Sequence, residues 1–331
     1  MAGRRQKKSG GRSYAWRYRG RIVACVFVEV IIICALVIMI GWNKGVKEWF
    51  EQFERPVLKE VDISGINSPN AILMQARGGK ILGEINGEAQ IYPASMTKIM
   101  TVILGIENFD DLDEKITLTN EMFTGLYEQD ATQAGFQPGE EVRVIDLLYG
   151  AMLPSGAECC IALADTISGS EADFAELMNK KARKLGMENT HFCDSTGLHN
   201  PDHYSTVKDI AVLMKYCIKN DTFREIVETS RHSTGVTNIH PDGITYYSTM
   251  FKNLSDPTVT GGKILGGKTG YTSEAGHCLV SFAEIEGREY IFVSAGASGA
   301  DGNTIPHIQD AVTVYNRVGA AIEEKMNDNN K

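Results

Sequence analysis

A run of 19 residues, Ile22–Ile40 (IVACVFVEVIIICALVIMI), is apolar except for one glutamate, and it constrains this chain before any other feature does. A helix of that length crosses a hydrocarbon core of about 30 Å. Arg4, Arg5, Lys7, Lys8, Arg12, Arg17, Arg19 and Arg21 precede it, with no acidic residue among residues 1–21. The positive-inside rule keeps that end cytoplasmic and puts residues from about 43 onward outside. The run exceeds a signal-peptide core, and no small-x-small cleavage site follows it, so an uncleaved signal anchor is predicted. The expected organisation is a basic tail over 1–21, a transmembrane helix over 22–41 in the lipid bilayer, a stalk over 42–60, a body over 61–326 and a tail over 327–331. Glu29 sits inside the span, where a charged Asp or Lys costs about 2.5–3.5 kcal/mol at the centre. A contact with a partner helix and a tolerated, protonated glutamate both remain open readings.

The charge is uneven. The whole chain carries 33 basic and 42 acidic residues, and without the N-terminal block 25 basic face the same 42 acidic. So acidic a body does not suit a nucleic-acid surface, which needs lysine and arginine to neutralise phosphates. Seven cysteines, an odd number with no CxxC pair, argue against a disulfide framework and a zinc ribbon. Cys159 and Cys160 lie in an apolar run and read as small core residues.

Along the body, Ala71–Ala76 and Lys80–Ile85 flank Gly78-Gly79 as a predicted hairpin. A helix is predicted from Ser95 onward, then Val144–Leu153 and Ala157–Ile167, parted by Pro154-Ser155-Gly156. Glu171–Leu185 is amphipathic, and Ser205-Thr206-Val207-Lys208-Asp209 reads as a capped helix start. Ile264–Tyr271, His277–Glu284 and Glu289–Ala295 read as strands, and a last helix covers Ile305–Glu324. Strands at both ends of a helical middle predict an α+β body.

Three short elements carry chemistry. In Ser95-Met96-Thr97-Lys98, positions i and i+3 share a helix face, so Lys98 can reach the Ser95 hydroxyl as its base. A neutral lysine needs burial or a nearby cation. Ser95 at a helix start would also put its N–H where an oxyanion could form. Ser205-Thr206-Val207-Lys208 repeats the pattern, and there capping is the preferred reading. Pro154-Ser155-Gly156-Ala157 places a serine between helices, either to relay a proton or to cap the second helix. Gly266-Gly267-Lys268-Thr269-Gly270-Tyr271-Thr272 puts Lys268 and Thr269 on opposite faces of a strand, and Gly270 permits close backbone approach. Gly262–Thr269 matches a P-loop by letter, but no helix follows it.

This order of S-x-x-K, then Ser-Gly-x about 60 residues on, then K-T-G more than 100 further, resembles the penicillin-binding serine peptidases. The flanks narrow it: Tyr92-Pro93-Ala94, Leu147-Leu148-Tyr149-Gly150, Met178-Asn179, Leu185-Gly186-Met187, Gly197-Leu198, Tyr204-Ser205-Thr206 and Ala275-Gly276. Together they resemble the low-molecular-mass D-alanyl-D-alanine carboxypeptidases, serine peptidase family S11. The resemblance implies a β-lactamase/transpeptidase-like α+β fold, a five-stranded antiparallel sheet with a helical lobe. It implies Ser95 as the acylated nucleophile, Lys98 as its base and Ser155 as a proton shuttle. Lys268, Thr269 and Gly270 would bind the substrate's end, and the N–H groups of Ser95 and Tyr271 would form the oxyanion hole. The substrate would be a peptidoglycan stem peptide, β-lactam antibiotics would trap the same serine, and no metal or cofactor would be needed.

Two departures from the pattern stand out. Ala157 occupies the place where the family usually has an asparagine that orients the substrate backbone and the lysine. A weakly active or inactive muropeptide- or penicillin-binding protein is the alternative this raises. No arginine lies between Val293 and Asn316, so carboxylate binding would rest on Lys268 and Thr269. A zinc peptidase fits poorly, because Pro201 separates His199 from His203 and breaks any helix carrying both. A β-lactamase would need a water-activating glutamate, and Glu176-Leu177-Met178-Asn179 sits in a helical run instead.

Overall fold

The computed structural model describes residues 56–254, 256–299 and 305–329. The predicted basic tail, membrane span and most of the stalk lie outside the described residues. Among the described residues, no helix is long and apolar enough to cross a membrane.

The core is an antiparallel sheet in the order β2-β1-β10-β9-β8-β7. Its strands are β1 (Asn70–Gln75), β2 (Ile81–Ile85), β7 (Thr258–Val259), β8 (Gly262–Thr272), β9 (Gly276–Ile285) and β10 (Arg288–Ala297). Five long strands match the expectation, and the two-residue β7 adds a sixth at the edge. Two small ribbons pair β3 (Lys115–Thr117) with β4 (Glu141–Arg143) and β5 (Arg231–Ser233) with β6 (Thr245–Tyr247).

The helices are α1 (Lys98–Asn108), α2 (Val144–Met152), α3 (Ala157–Ser168), α4 (Glu171–Leu185), α5 (Val207–Cys217), α6 (Asp221–Glu228), α7 (Thr249–Asn253) and α8 (Pro306–Asn329). Local chemistry sets their ends. Ser170 caps α4 by accepting from the Asp173 N–H at 3.1 Å. Thr206, not Ser205, caps α5, accepting from the Asp209 N–H at 3.0 Å. Ser205 lies one residue earlier, where its hydroxyl meets Thr190 Oγ1 at 2.8 Å. Gly156 precedes α3, so Ser155 is left outside the helix and does not cap it.

The period of two along the strands sorts the core into two layers. Ile72 and Met74 of β1, with Val280, Phe282, Ile291 and Val293, face the helical lobe. Ala71 and Leu73, with Leu279, Ala283, Tyr290 and Phe292, face α8 through Ile308, Val314, Tyr315 and Val318. Both faces are covered, which is why these strands read as nearly unbroken apolar runs. Tyr315 pins α8 to the sheet, its hydroxyl accepting from the Phe292 N–H at 3.1 Å and lying 3.0 Å from Ser281 Oγ. Leu58 is already buried in this second layer, so packing begins before Val61. Cys159 and Cys160 are core residues with no exposed surface.

Candidate active site

Ser95 does not open an α-helix. It lies in a 3-10 turn, Ala94–Thr97, and α1 begins at Lys98. The i to i+3 reach still holds, because a 3-10 turn stacks residues three apart. Lys98 Nζ donates to Ser95 Oγ at 3.1 Å and to the Thr196 carbonyl at 2.7 Å. Ser155 sits at the turn between α2 and α3 with φ of 73°, a left-handed conformation that costs a serine about 1 kcal/mol or more. Lys268 comes from the middle of β8, and its Nζ donates to Ser155 Oγ and to the Thr269 carbonyl, both at 2.9 Å. Thr269 Oγ1 lies 2.7 Å from Thr249 Oγ1 at the start of α7.

Gly270 explains how sheet and lobe meet. A Cβ there would lie 3.0 Å from the Ser95 nitrogen and 3.1 Å from Ala94 Cβ. The β8 backbone passes this close to the serine turn only without a side chain. The fold therefore brings Ser95, Lys98, Ser155 and Lys268 together from three separate stretches. Tyr271 follows on the same strand with an exposed side chain.

Both lysines are buried, and among the described residues no carboxylate pairs with either. Burial, and next the charge of Lys98, hold Lys268 well below the ordinary lysine range. An unfolded lysine keeps its proton through that window, so the folded chain is penalised as pH falls out of the alkaline range. Replacing Lys268 by Met is expected to raise the melting temperature at pH 7, with the gain shrinking as pH rises toward 10 in parallel thermal melts. A pH-independent difference would sink this account.

A loop whose role the motifs did not disclose holds Lys98. Asp194 Oδ1 accepts from the N–H groups of Thr196 and Gly197 at 2.8 and 2.7 Å and from the Thr196 hydroxyl at 2.7 Å. The buried His203 joins this loop to the serine turn, with Nδ1 3.1 Å from Asp194 Oδ2 and Nε2 2.9 Å from Thr97 Oγ1. Thr101 Oγ1 donates to the Ser195 carbonyl at 2.6 Å, and the Ser195 hydroxyl donates to Glu171.

Burial pushes the Asp194 carboxyl up, but the His203 ring and the Thr196 and Gly197 donors outweigh it and hold it at about 2. That stability is complete above the ordinary value of 3.8 and is lost as pH falls through about 2. Asp194→Asn is expected to cost about 2 kcal/mol at pH 7. In chemical denaturation the gap between variant and native chain should close as pH falls through about 2.

His199 and His203, weighed for zinc, and the nearby His191 go separate ways. His191 Nδ1 lies 2.6 Å from the Asp202 carbonyl, His199 packs edge-on to Tyr92, and His203 serves the loop just described. Glu176 is exposed, and Asn179 clamps Phe192 through two 2.8 Å hydrogen bonds. Glu158, next after Ala157, is fully buried. Its Oε1 accepts from the Ala134 and Gly135 N–H groups at 2.6 and 2.9 Å, and burial pushes its pKa up. A cavity of about 450 Å³ lies behind the Asp194 loop, lined by Asp165, Glu171, Asp194 and Thr196 among others. Ser95 and Lys268 do not line it.

The family model for D-alanyl-D-alanine carboxypeptidase, peptidase S11, matches residues 58–299. The chain is 35% identical over 233 residues to the D-alanyl-D-alanine carboxypeptidase DacF of Bacillus subtilis, covering 69% of this chain and 57% of DacF. It is 35% identical over 236 residues to the D-alanyl-D-alanine carboxypeptidase of Streptomyces sp. K15, covering 69% of this chain and 78% of that protein. The crystal structure of the Streptomyces K15 DD-transpeptidase superposes with a TM-score of 0.69 at 29% identity, covering 79% of this chain and all of that one. The match spans under two thirds of several curated relatives, 57% of DacF and 58% of the Escherichia coli carboxypeptidase DacC.

Proposed function

Because this chain belongs to the D-alanyl-D-alanine carboxypeptidase family of serine peptidases, we propose that it removes the terminal D-alanine from peptidoglycan stem peptides through an acyl-enzyme on Ser95. The observation that carries this reading is a serine hydroxyl 3.1 Å from a buried lysine, beside a second buried lysine that no carboxylate among the described residues neutralises.

In this reading Lys98 takes the Ser95 proton as the hydroxyl attacks the carbonyl of the penultimate D-alanine. The N–H groups of Ser95 and Tyr271 hold the developing oxyanion. Ser155, bonded to Lys268, relays the proton that Lys98 took to the leaving D-alanine nitrogen, so that Lys98 and Ser155 end the step as they began it. Water then hydrolyses the ester on Ser95, and the same groups return the proton.

Lys268 and Thr269 receive the terminal carboxylate. An arriving anion supplies the counter-charge that Lys268 lacks, so binding draws a proton onto that lysine. A β-lactam presents a carboxylate and a reactive carbonyl in the same relation and traps Ser95. The curated relatives compared above all bear the name D-alanyl-D-alanine carboxypeptidase, and nothing in them favours an inactive binding protein.

The reading extends to location. Residues 22–40 anchor the chain as a single membrane-spanning helix, the basic tail stays in the cytoplasm, and the catalytic body works on the cell-wall side. The hydropathy of that run and the eight basic residues before it support this.

The test is the intact mass of the full chain in detergent, with and without penicillin, followed by release of D-alanine from a diacyl-D-Ala-D-Ala peptide. A single stable penicilloyl adduct together with D-alanine release supports a carboxypeptidase. An adduct that clears within seconds points to a β-lactamase. Absence of both adduct and release overturns the reading.

A further inference from the structure

Ala157 offers no polar side chain where the family usually has an asparagine, yet a bound peptide has backbone groups to satisfy on that side. Among the described residues, the edge of β8 away from β9 has no strand partner beyond its short pairing with β7 at Gly262 and Lys263. A peptide laid along that edge beside Ser95 adds a strand to the sheet, and its other edge then faces the Ser155–Ala157 turn. Peptide N–H and C=O groups buried there without partners would weaken binding.

The segment packed on that turn is a loop through residues 131–136, and it is tied down on both sides of one residue. The Ala157 N–H donates to the Thr132 carbonyl at 2.8 Å. Glu158 Oε1 accepts from the Ala134 and Gly135 N–H groups. A Cβ on Gly156 would lie 2.7 Å from Ala134 Cβ, so loop and turn are in direct contact. Gln133 lies between these anchors. Its side chain is exposed, and its amide makes no hydrogen bond to the described residues. By contrast, Gln129 Nε2 donates to the Gly125 carbonyl at 3.0 Å, and Asn200 Oδ1 accepts from the Asp202 N–H at 2.8 Å.

Resting on the carboxypeptidase reading, we propose that Gln133 hydrogen-bonds the backbone of the bound peptide on the side away from β8, where Ala157 offers nothing. A primary amide carries both a donor and an acceptor, as pairing with a peptide unit requires. The backbone held on either side limits where both can lie.

The experiment compares the native full chain with Gln133→Ala, Ala157→Asn and the double variant. It reads kcat and KM on a diacyl-D-Ala-D-Ala peptide, the rate of penicilloyl-adduct formation, and the melting temperature. Gln133→Ala is expected to lower kcat/KM about tenfold, the scale of one lost hydrogen bond in the bound complex. The melting temperature should not move, because the side chain is exposed. Ala157→Asn should recover most of the loss in the Gln133→Ala background and change little in the native one.

Unchanged kcat/KM in Gln133→Ala, or an equal effect of Ala157→Asn in both backgrounds, overturns the proposal. So does a loss of activity that tracks a fall in melting temperature. A native chain that forms no adduct and releases no D-alanine overturns the carboxypeptidase reading and this inference with it. An adduct and turnover that ignore Gln133 overturn the inference alone.

Discussion

Ser95→Ala is expected to remove the penicilloyl adduct from the mass spectrum and to lower peptide hydrolysis by about 10⁴-fold or more, the usual result of deleting a serine nucleophile. No neighbouring hydroxyl is placed to replace it. Ser155 Oγ is held by Lys268 at 2.9 Å. Ser205 Oγ is fully buried against Thr190, although Ser205 opens the second S-x-x-K of the chain. Ser205→Ala should therefore acylate at the native rate. Normal labelling of Ser95→Ala, or loss of labelling in Ser205→Ala, would place the nucleophile elsewhere.

Gly197→Ala has the second largest expected effect, at a residue that carries no functional group. Gly197 has φ of +80°, and a Cβ there would lie 1.9 Å from the Ala94 carbonyl oxygen and 2.5 Å from its carbon. That overlap is with backbone, so no rotamer change relieves it. The added left-handed strain makes the total cost about 3 kcal/mol or more. The displacement reaches the chemistry at once. Ala94 precedes Ser95, and the Thr196 carbonyl that accepts from Lys98 at 2.7 Å precedes Gly197. A misplacement of about 1 Å at a reacting pair costs on the order of 10²-fold in rate. Thermal melting and the penicillin acylation rate measure the two effects separately. Native values of both would show that this loop does not set the lysine.

Some of the site could be read along the chain because its chemistry is local. Ser95 and Lys98 are three residues apart, so any helical turn brings them together, and the change from an α-helical to a 3-10 turn left that reach intact. The long strands and helices were legible for a similar reason. A period of two or of 3.6 in apolar residues reports which face is buried. The cap of α5 was misplaced by one residue, since Ser205 and Thr206 can both cap and only packing against Thr190 draws Ser205 away. The small β7 and the left-handed Ser155 carried no pattern to read, being set by neighbours distant in the chain.

The sequence by itself determined the apolar span at residues 22–40, the alternation that covers both faces of the sheet, and the ordered motifs that carry the family resemblance. Each depends on residues close together in the chain, or on their order. Only the tertiary structure decided which lysine is pushed down, what holds Lys98, and that Asp194, His203 and Gly197 belong to the same site. Those answers depend on burial and on contacts such as the 113-residue separation bridged by Lys268 and Ser155. Desolvation and close approach exist only once the sheet and the helical lobe have closed on each other.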